Sequence, residues 1–454
     1  MTNVRVAAAL VLLRLMQGRT TLSAEVEAAR ADMPDRRDRG LLVELTSGVL
    51  RWQNELDALL ASASQRAVST IDPHALAVLR LGAYQIRHLD RVPDHAVVNE
   101  SVDAVRALGA PKAAGFVNAV LRSMIRRGPT LSLPKRPKPG APDANWIPYL
   151  SISLSHPAWL VRRWMTRYGA EQTEAWCRFN NETPEITVRP IWPTTATAWL
   201  EHARAAGIDA TIATHVADAM RLAPGSLGRL PEELRAQISV QDEGSQLVAR
   251  FAAAEPGEKI LDLCASPGGK TIVLAADLAA GAAGDGSLLV AADRRPGRIS
   301  LLADTVRRSG RHVPIVALDA MGPLPFGPVF DCVLLDAPCS GLGTLRRDPD
   351  LKWSRREEDL PRLAADQSAM LTSAADLVRP GGRLVYATCS SEPDENQSVV
   401  ARFLAADDRF HRGAPPVSSG AAELVTPDGD LVTEPFRHQL DAFFAAILVR
   451  RVAT

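Results

Sequence analysis

The chain has 454 residues, enough for about three domains of roughly 150 residues each, which excludes a single small module. Hydrophobic residues make up 46% and charged residues 23%, which excludes a disordered chain. Lys plus Arg and Asp plus Glu both number 52, so bulk charge gives no argument for nucleic-acid binding, and any such binding needs local patches.

Five cysteines scattered along the chain argue against a disulfide framework and for a reducing compartment. The first apolar run, residues 6–13, is short, is followed by Arg14 and lacks a small-residue cleavage site. It predicts a buried helix rather than an export signal, and the expectation is a cytoplasmic protein without a membrane partner.

Residues 1–128 predict an all-α domain, with apolar residues at helical spacing over 4–13, 39–60, 73–89, 99–108 and 117–125. Asp72 ahead of Pro73, and Ser101, read as helix caps. Residues 129–145 predict a linker, because Pro129, Pro134, Pro137, Pro139 and Pro142 with Gly140 break helix and strand alike. Its Lys135, Arg136 and Lys138 read as a solvated face or, more sharply, as phosphate contacts. Residues 146–238 mix helices (159–176, 195–206) and short strands (185–190, 210–212, 219–222), a small α+β module. From 239 to 454 apolar strands (259–264, 287–293, 313–319, 330–337, 382–389) alternate with helices (270–279, 298–308, 360–378, 396–406). The pattern is that of a doubly wound, Rossmann-like α/β domain. Its ligand is expected at the carboxyl ends of the strands.

The distinctive motifs fall at those ends. The first strand runs into Cys264-Ala265-Ser266-Pro267-Gly268-Gly269-Lys270-Thr271, a glycine turn opening a helix. Such a turn lets backbone approach a ligand and offers free N–H groups to an anion. It ends like a phosphate-binding loop, but Cys264 stands where that motif needs its first glycine, and G-x-G-x-x-G is absent. Asp293 closes the second strand, at the distance where an acidic residue takes ribose hydroxyls. Asp319 closes the third, where a carboxylate can accept from an adenine amino group. Together they predict an adenosine site without pyrophosphate.

The fourth strand ends Asp336-Ala337-Pro338-Cys339-Ser340-Gly341-Leu342-Gly343 and the fifth Ala387-Thr388-Cys389-Ser390. Adjacent strands thereby bring a carboxylate and two thiols to one edge. A lone cysteine is usually a small core hydrophobe, the reading for Cys177 and Cys332. Two at strand ends suggest nucleophilic work, since a thiolate is a strong nucleophile once its pKa drops below about 8.5. A zinc pair is the alternative, but no further ligands lie nearby, and no metal is expected. Arg346, Arg347, Lys352, Arg355 and Arg356 form the best candidate phosphate patch.

These motifs resemble those of the RNA cytosine-5 methyltransferases, the Sun/NOL/NSUN group: D-L-C-A-S-P-G-G-K-T at 262–271, D-A-P-C-S-G-x-G at 336–343 and A-T-C-S at 387–390. Residues 241–246 and 346–353 match as well, and so does Asp441-Ala442-Phe443-Phe444, although Ala442 stands where the family usually has glycine. Residues 92–100 and 116–122 resemble the NusB-like domain of the bacterial 16S ribosomal RNA methyltransferase subgroup, so the resemblance spans essentially the whole chain. It implies a monomer that uses S-adenosyl-L-methionine to form 5-methylcytosine in 16S ribosomal RNA. It also implies cofactor contacts at Cys264, Ala265, Ser266, Pro267, Gly268, Gly269, Lys270, Asp293, Asp319 and Asp336, and RNA contacts at Arg346, Arg347 and Lys352. Cys389 is the implied nucleophile at cytosine C6, Cys339 assists release, and Asp336 in protonated form hydrogen-bonds N3. Transfer RNA is an alternative substrate. A passive RNA-binding assembly factor has no use for two thiols at strand ends. An amino-nitrogen methyltransferase calls for D/N-P-P-Y/F where this chain has Asp336-Ala337-Pro338-Cys339.

Overall fold

The computed structural model describes residues 3–18, 20–191, 193–280, 286–416 and 422–452. Two compact units emerge: Met1–Glu182 with Leu345–Glu357, and Thr183–Thr344 with Glu358–Thr454.

The first unit is helical. Its helices are Val4–Met16, Leu22–Ala31, Arg36–Arg51, Gln53–Ser64, Pro73–His88, Asp94–Ala107, Ala114–Arg127 and Ala158–Asn181, the last kinked at Gly169 (φ 76°), and several start at side-chain caps. Asn3 accepts from the Arg5 N–H and Thr21 from the Ala24 N–H, while Asp72 accepts from His74 and Ala75 ahead of a first-turn proline. Pro73–His88 is buried on every face from Ala75 to Gln85, so it is the central helix around which the others pack.

Several expectations need correction here. The single helix expected over 39–60 is two helices, broken at Trp52 (φ −110°, ψ 17°). The Trp52 ring stacks on His88 at 4.7 Å, and the next helix is held by the Asn54 N–H donating to Ser155 Oγ at 2.9 Å; tertiary contacts override the local propensity. Ser101 caps nothing: its helix begins at Asp94, and its buried hydroxyl donates to Val97 O. Arg136 stays exposed but is paired. It donates to both carboxylate oxygens of Glu174 at 2.8–2.9 Å and lies 5.3 Å from the Trp146 ring centroid.

The segment Leu345–Glu357 packs into this unit. The Trp353 indole N–H donates to Leu50 O at 2.6 Å, and Asp350 accepts from the Leu22 N–H at 3.1 Å. The Lys352 ammonium, 1% exposed, donates to Arg51 O (3.2 Å), Ser155 O (3.3 Å) and Asn181 Oδ1 (2.8 Å). Lys352 is therefore not a surface cation for RNA phosphate. Arg346 is also engaged, its guanidinium 4.4 Å from the Phe179 ring centroid and its side chain only 12% exposed. Arg347 is half-buried.

The second unit holds two sheets. Strands β1 (Ile186–Pro190), β2 (Ala210–Ile212), β3 (Met220–Leu222) and β4 (Ile238–Val240) form an antiparallel sheet in the order β2-β3-β1-β4. The main sheet uses β5 (Lys259–Leu263), β6 (Leu288–Asp293), β7 (Ile315–Ala317), β8 (Phe330–Asp336), β9 (Val378–Thr388), β10 (Phe410–Arg412), β11 (Leu431–Val432) and β12 (Phe444–Arg450). Its order is β10-β12-β9-β8-β5-β6-β7, with β11 paired to β12. From β7 to β9 all neighbours are parallel, whereas β12 runs antiparallel to β9. The central strands β5, β6 and β8 and the end of β9 are largely apolar and buried because both faces are covered. Ile260, Cys332, Leu334 and Val385 enter one core, and Leu261, Val333, Leu335 and Leu384 the other. Cys177 and Cys332 are fully buried, and burial pushes their thiols up to about 12 and about 11.

The chain leaves β5 toward β6 on one side, while β8 lies on the other. The gap between the ends of β5 and β8 is thus the topological switch point where such sheets place ligands. Among the described residues, no helix is long and apolar enough to cross a membrane.

Candidate active site

At the end of β5, Cys264 takes a left-handed backbone (φ 60°) and Gly268 one at φ 102°, a conformation that favours glycine at 268. A side chain there would also crowd Leu302 and Thr305, at 3.0–3.2 Å. The turn opens the helix Gly269–Leu278, whose first N–H groups have no intrahelical acceptor. Beneath it Asp262 is fully buried and takes the Thr271 hydroxyl at 2.6 Å. Burial pushes the Asp262 carboxyl up to about 7, with the Thr271 hydrogen bond opposing. The Cys264 thiol is likewise pushed up to about 12, chiefly by burial.

Across the switch point, Lys270 Nζ meets Asp336 Oδ2 at 2.7 Å. Burial works against the Lys270 charge, but the Asp336 carboxylate more than offsets it and the pKa rises. The lysine also lies 5.9 Å from the Phe443 ring centroid. Next to this pair, the loops after β8 and β9 bring Cys339 Sγ and Cys389 Sγ to 3.3 Å. Gly343 allows the close approach: its N–H donates to Cys389 O at 3.0 Å and its carbonyl accepts from the Ala442 N–H at 2.9 Å. A Cβ on Gly343 would sit 2.0 Å from Ala442 O. The Cys339 thiol is raised well above its ordinary value, first by its hydrogen bond to Cys389, then by burial, then by negative charge at Cys389 and Glu395.

A cavity of about 500 Å³ opens here, within the usual range for a small-molecule site. Its lining joins Ala265, Ser266, Pro267, Gly269, Lys270 and Asp336 to Arg235, Ser239 and Val240 of the small module and to Gln241. Val240 ends β4, so the boundary expected at 238/239 falls inside a strand of the small sheet. Asp293, 6% exposed, takes the Ser266 N–H, the Arg295 N–H and Arg298 Nε at 3.2–3.3 Å. Asp319 lies two residues beyond β7 and pairs with Arg294 at 3.3 Å. Neither aspartate lines the cavity itself; Asp293 touches the glycine turn through Ser266, and Asp319 lies beyond the end of β7. Among the described residues, no group of three or more His, Cys, Asp or Glu could hold a metal ion.

The sequence motifs converge as expected at the ends of β5, β8 and β9, but two members of the site carried no spacing signal. Lys270 reads as part of the cofactor turn yet partners Asp336. Glu395, fully buried in the loop after β9, bonds to residues next to both thiols.

Comparison with known proteins fits this arrangement. A model of the 16S rRNA methyltransferase RsmB/F family matches residues 249–449, one of the NusB family residues 2–126, and one of the RsmF/B-like ferredoxin-like domain residues 156–226. Ribosomal RNA small subunit methyltransferase B of Pseudomonas putida is 34% identical, covering 100% of this chain and 99% of its own. The chain belongs to the RsmB/F methyltransferase family. The probable ribosomal RNA small subunit methyltransferase B of Bacillus subtilis is 33% identical over 90% of each chain. Among solved structures, PH0851 covers 99% of each chain with a TM-score of 0.79 at 24% identity. NSun6 from Pyrococcus horikoshii with SFG covers 66% of this chain and 99% of its own, with a TM-score of 0.55 at 18% identity. At those identities the structural likeness speaks for the fold alone. The enzyme is a methyltransferase. Its helix Ala158–Asn181 lies within the match to the ferredoxin-like domain, although by its contacts it packs with the helical unit.

Proposed function

We propose that this methyltransferase forms 5-methylcytosine in 16S ribosomal RNA from S-adenosylmethionine, with Cys389 as nucleophile and Cys339 as the base that permits release. The observation that carries the reading is the pair of thiols 3.3 Å apart at the ends of adjacent parallel strands, beside the Lys270–Asp336 ion pair. Cytosine C5 is a weak nucleophile until another nucleophile adds at C6 and pushes electron density toward it.

The residues present fit the cofactor. The glycine turn and the free N–H groups of helix Gly269–Leu278 suit a carboxylate, and Asp293 and Asp319 stand where ribose and adenine would be read. When bound, S-adenosylmethionine supplies an electrophilic methyl group on a sulfonium. Everything else falls to the protein. With its pKa raised, Cys339 holds the proton of the thiol pair, which leaves the Cys389 sulfur to attack C6. Once Cys389 is bonded to the base, the hydrogen bond and charge that Cys389 contributed are gone, while burial and Glu395 remain. The pKa of Cys339 then falls, Cys339 releases its proton to solvent, and the resulting thiolate accepts the C5 proton, whose loss restores the C5–C6 double bond and expels Cys389.

The role expected for a protonated Asp336 passes to Lys270. Asp336 already accepts from an ammonium, so Lys270 is the donor toward N3 and the Asp336 carboxylate suits the 4-amino group. The target base must leave its stack to be attacked on the ring face. Of the three RNA contacts expected, Lys352 is buried, and Arg346 and Arg347 are half-buried. Mapping 5-methylcytosine in ribosomal RNA from cells with and without this gene tests the reading: one 16S cytosine should lose its methyl group, and an unchanged map would overturn it.

A further inference from the structure

We propose that Glu395 is a positioning residue that holds the two reactive thiols in register, a role that rests on the thiol chemistry proposed above. Its carboxylate is fully buried beneath the site. Oε1 accepts from the Ser340 N–H at 2.8 Å and from Gln367 Nε2 at 2.9 Å. Oε2 accepts from the Ser340 and Ser390 hydroxyls, both at 2.5 Å. Ser340 directly follows Cys339 and Ser390 directly follows Cys389, so one carboxylate ties together the two residues that carry the thiols onward.

The neighbouring bonds reinforce this bracket. Gln367 also donates to Pro338 O at 3.0 Å, on the other side of Cys339. The Tyr386 hydroxyl holds Glu395 by its own carbonyl at 2.5 Å, and Asn396 Nδ2 donates to Ser390 O at 2.9 Å. Among the described residues, every partner found for the Glu395 carboxylate is a neutral donor. Burying an anion is costly, and four donors offset that cost. An apolar side chain would fill the same space more cheaply, but it could not join two loops through directional bonds. The geometry it enforces is what the reaction requires, because C5 and C6 are neighbours on one ring and the two sulfurs must reach them in turn. The negative charge of Glu395 also adds to the forces that keep the proton on Cys339.

The test uses the full-length chain with Glu395→Gln and Glu395→Ala and three measurements: melting temperature, kcat and KM for RNA and cofactor, and the rate at which diamide joins Cys339 to Cys389. In that probe the thiols lose two electrons and two protons to the diazene, and the rate reports sulfur-to-sulfur register without methyl transfer. The glutamine keeps one acceptor oxygen and the volume, so Glu395→Gln stays folded even where the alanine variant does not. Glu395→Gln is expected to lower kcat about tenfold with both KM values unchanged and to slow the diamide cross-link by a similar factor. Where Glu395→Ala folds, both losses should be larger. A folded glutamine variant with wild-type kcat, or with a wild-type cross-linking rate, overturns the proposal. If the wild-type chain transfers no methyl group, the reaction assigned above fails, and the cross-linking rate alone still decides whether Glu395 sets the register.

Discussion

Lys270→Met removes the ammonium from the site while keeping most of the side-chain volume. At the observed 2.7 Å separation from Asp336, the direct attraction is about 6 kcal/mol at an effective dielectric of about 20. Desolvation of both groups takes back much of that. Asp336 is 28% exposed against 11% for Lys270, so water partly compensates the carboxylate once its partner is gone. The expected loss of folding stability is therefore about 1–3 kcal/mol, below the range of roughly 3–5 for a wholly buried pair. The effect on rate should be larger than stability alone suggests, because in the reaction proposed above the ammonium also faces the charge that develops on the base. Losing one such donor typically costs about 10²–10³ in kcat. Initial rates of methyl incorporation from labelled cofactor, with cofactor affinity by calorimetry and stability by denaturant, separate these effects. Lys270→Arg should recover part of the rate and Lys270→Met none. A kcat for Lys270→Met within threefold of wild type, in a folded protein, would refute the role given to this lysine.

Other expectations follow from the same geometry. Asp293→Ala removes a charged acceptor next to the glycine turn, worth roughly 1.5–3 kcal/mol, so cofactor affinity should fall about ten- to hundredfold by calorimetric titration; unchanged affinity would exclude the ribose role. Lys352→Ala leaves three buried oxygen acceptors unpartnered and opens a cavity, so the protein should lose about 2–4 kcal/mol in denaturant unfolding. A change under 0.5 kcal/mol would mean the ammonium contributes little. His156 is fully buried, with its ring nitrogens on Leu154 O (2.6 Å) and the Asn180 amide (3.2 Å), and burial, aided by the charge of Lys352, lowers its pKa well below 6.5. The unfolded chain therefore takes up this proton first, and stability should decline as pH falls below about 6.5, by at most about 1.4 kcal/mol per unit. His156→Gln should flatten that part of the profile, and an equally steep profile would assign the acid sensitivity elsewhere.

What the sequence made legible follows a physical division. Strand ends, the glycine turn and the paired cysteines were readable because parallel strands covered on both faces are continuous apolar runs, and the residues that break such a run stand out. The Asp72–Pro73 cap was readable because it is a local device, complete within four residues. Trp52 was not: nothing near it in sequence announces a break, which depends on His88 and on Ser155 about a hundred positions away. Lys352 misled for a related reason. In a run with Arg346, Arg347, Arg355 and Arg356 it looks like surface charge, yet its carbonyl partners come from three distant stretches of the helical unit. Glu395 was silent because an acidic residue in a loop is ordinary until four donors from three segments are seen to converge on it.

The central claim, that Cys389 bonds to the base and Cys339 frees it, is tested most directly by a denaturing gel of labelled RNA incubated with cofactor and the Cys339→Ala or Cys389→Ala chain. Only a covalent bond survives denaturation. Cys339→Ala should accumulate a shifted RNA–protein band, because attack proceeds and release does not, and Cys389→Ala should give none. A band with Cys389→Ala and none with Cys339→Ala would exchange the two roles, and no band with either would contradict the covalent account.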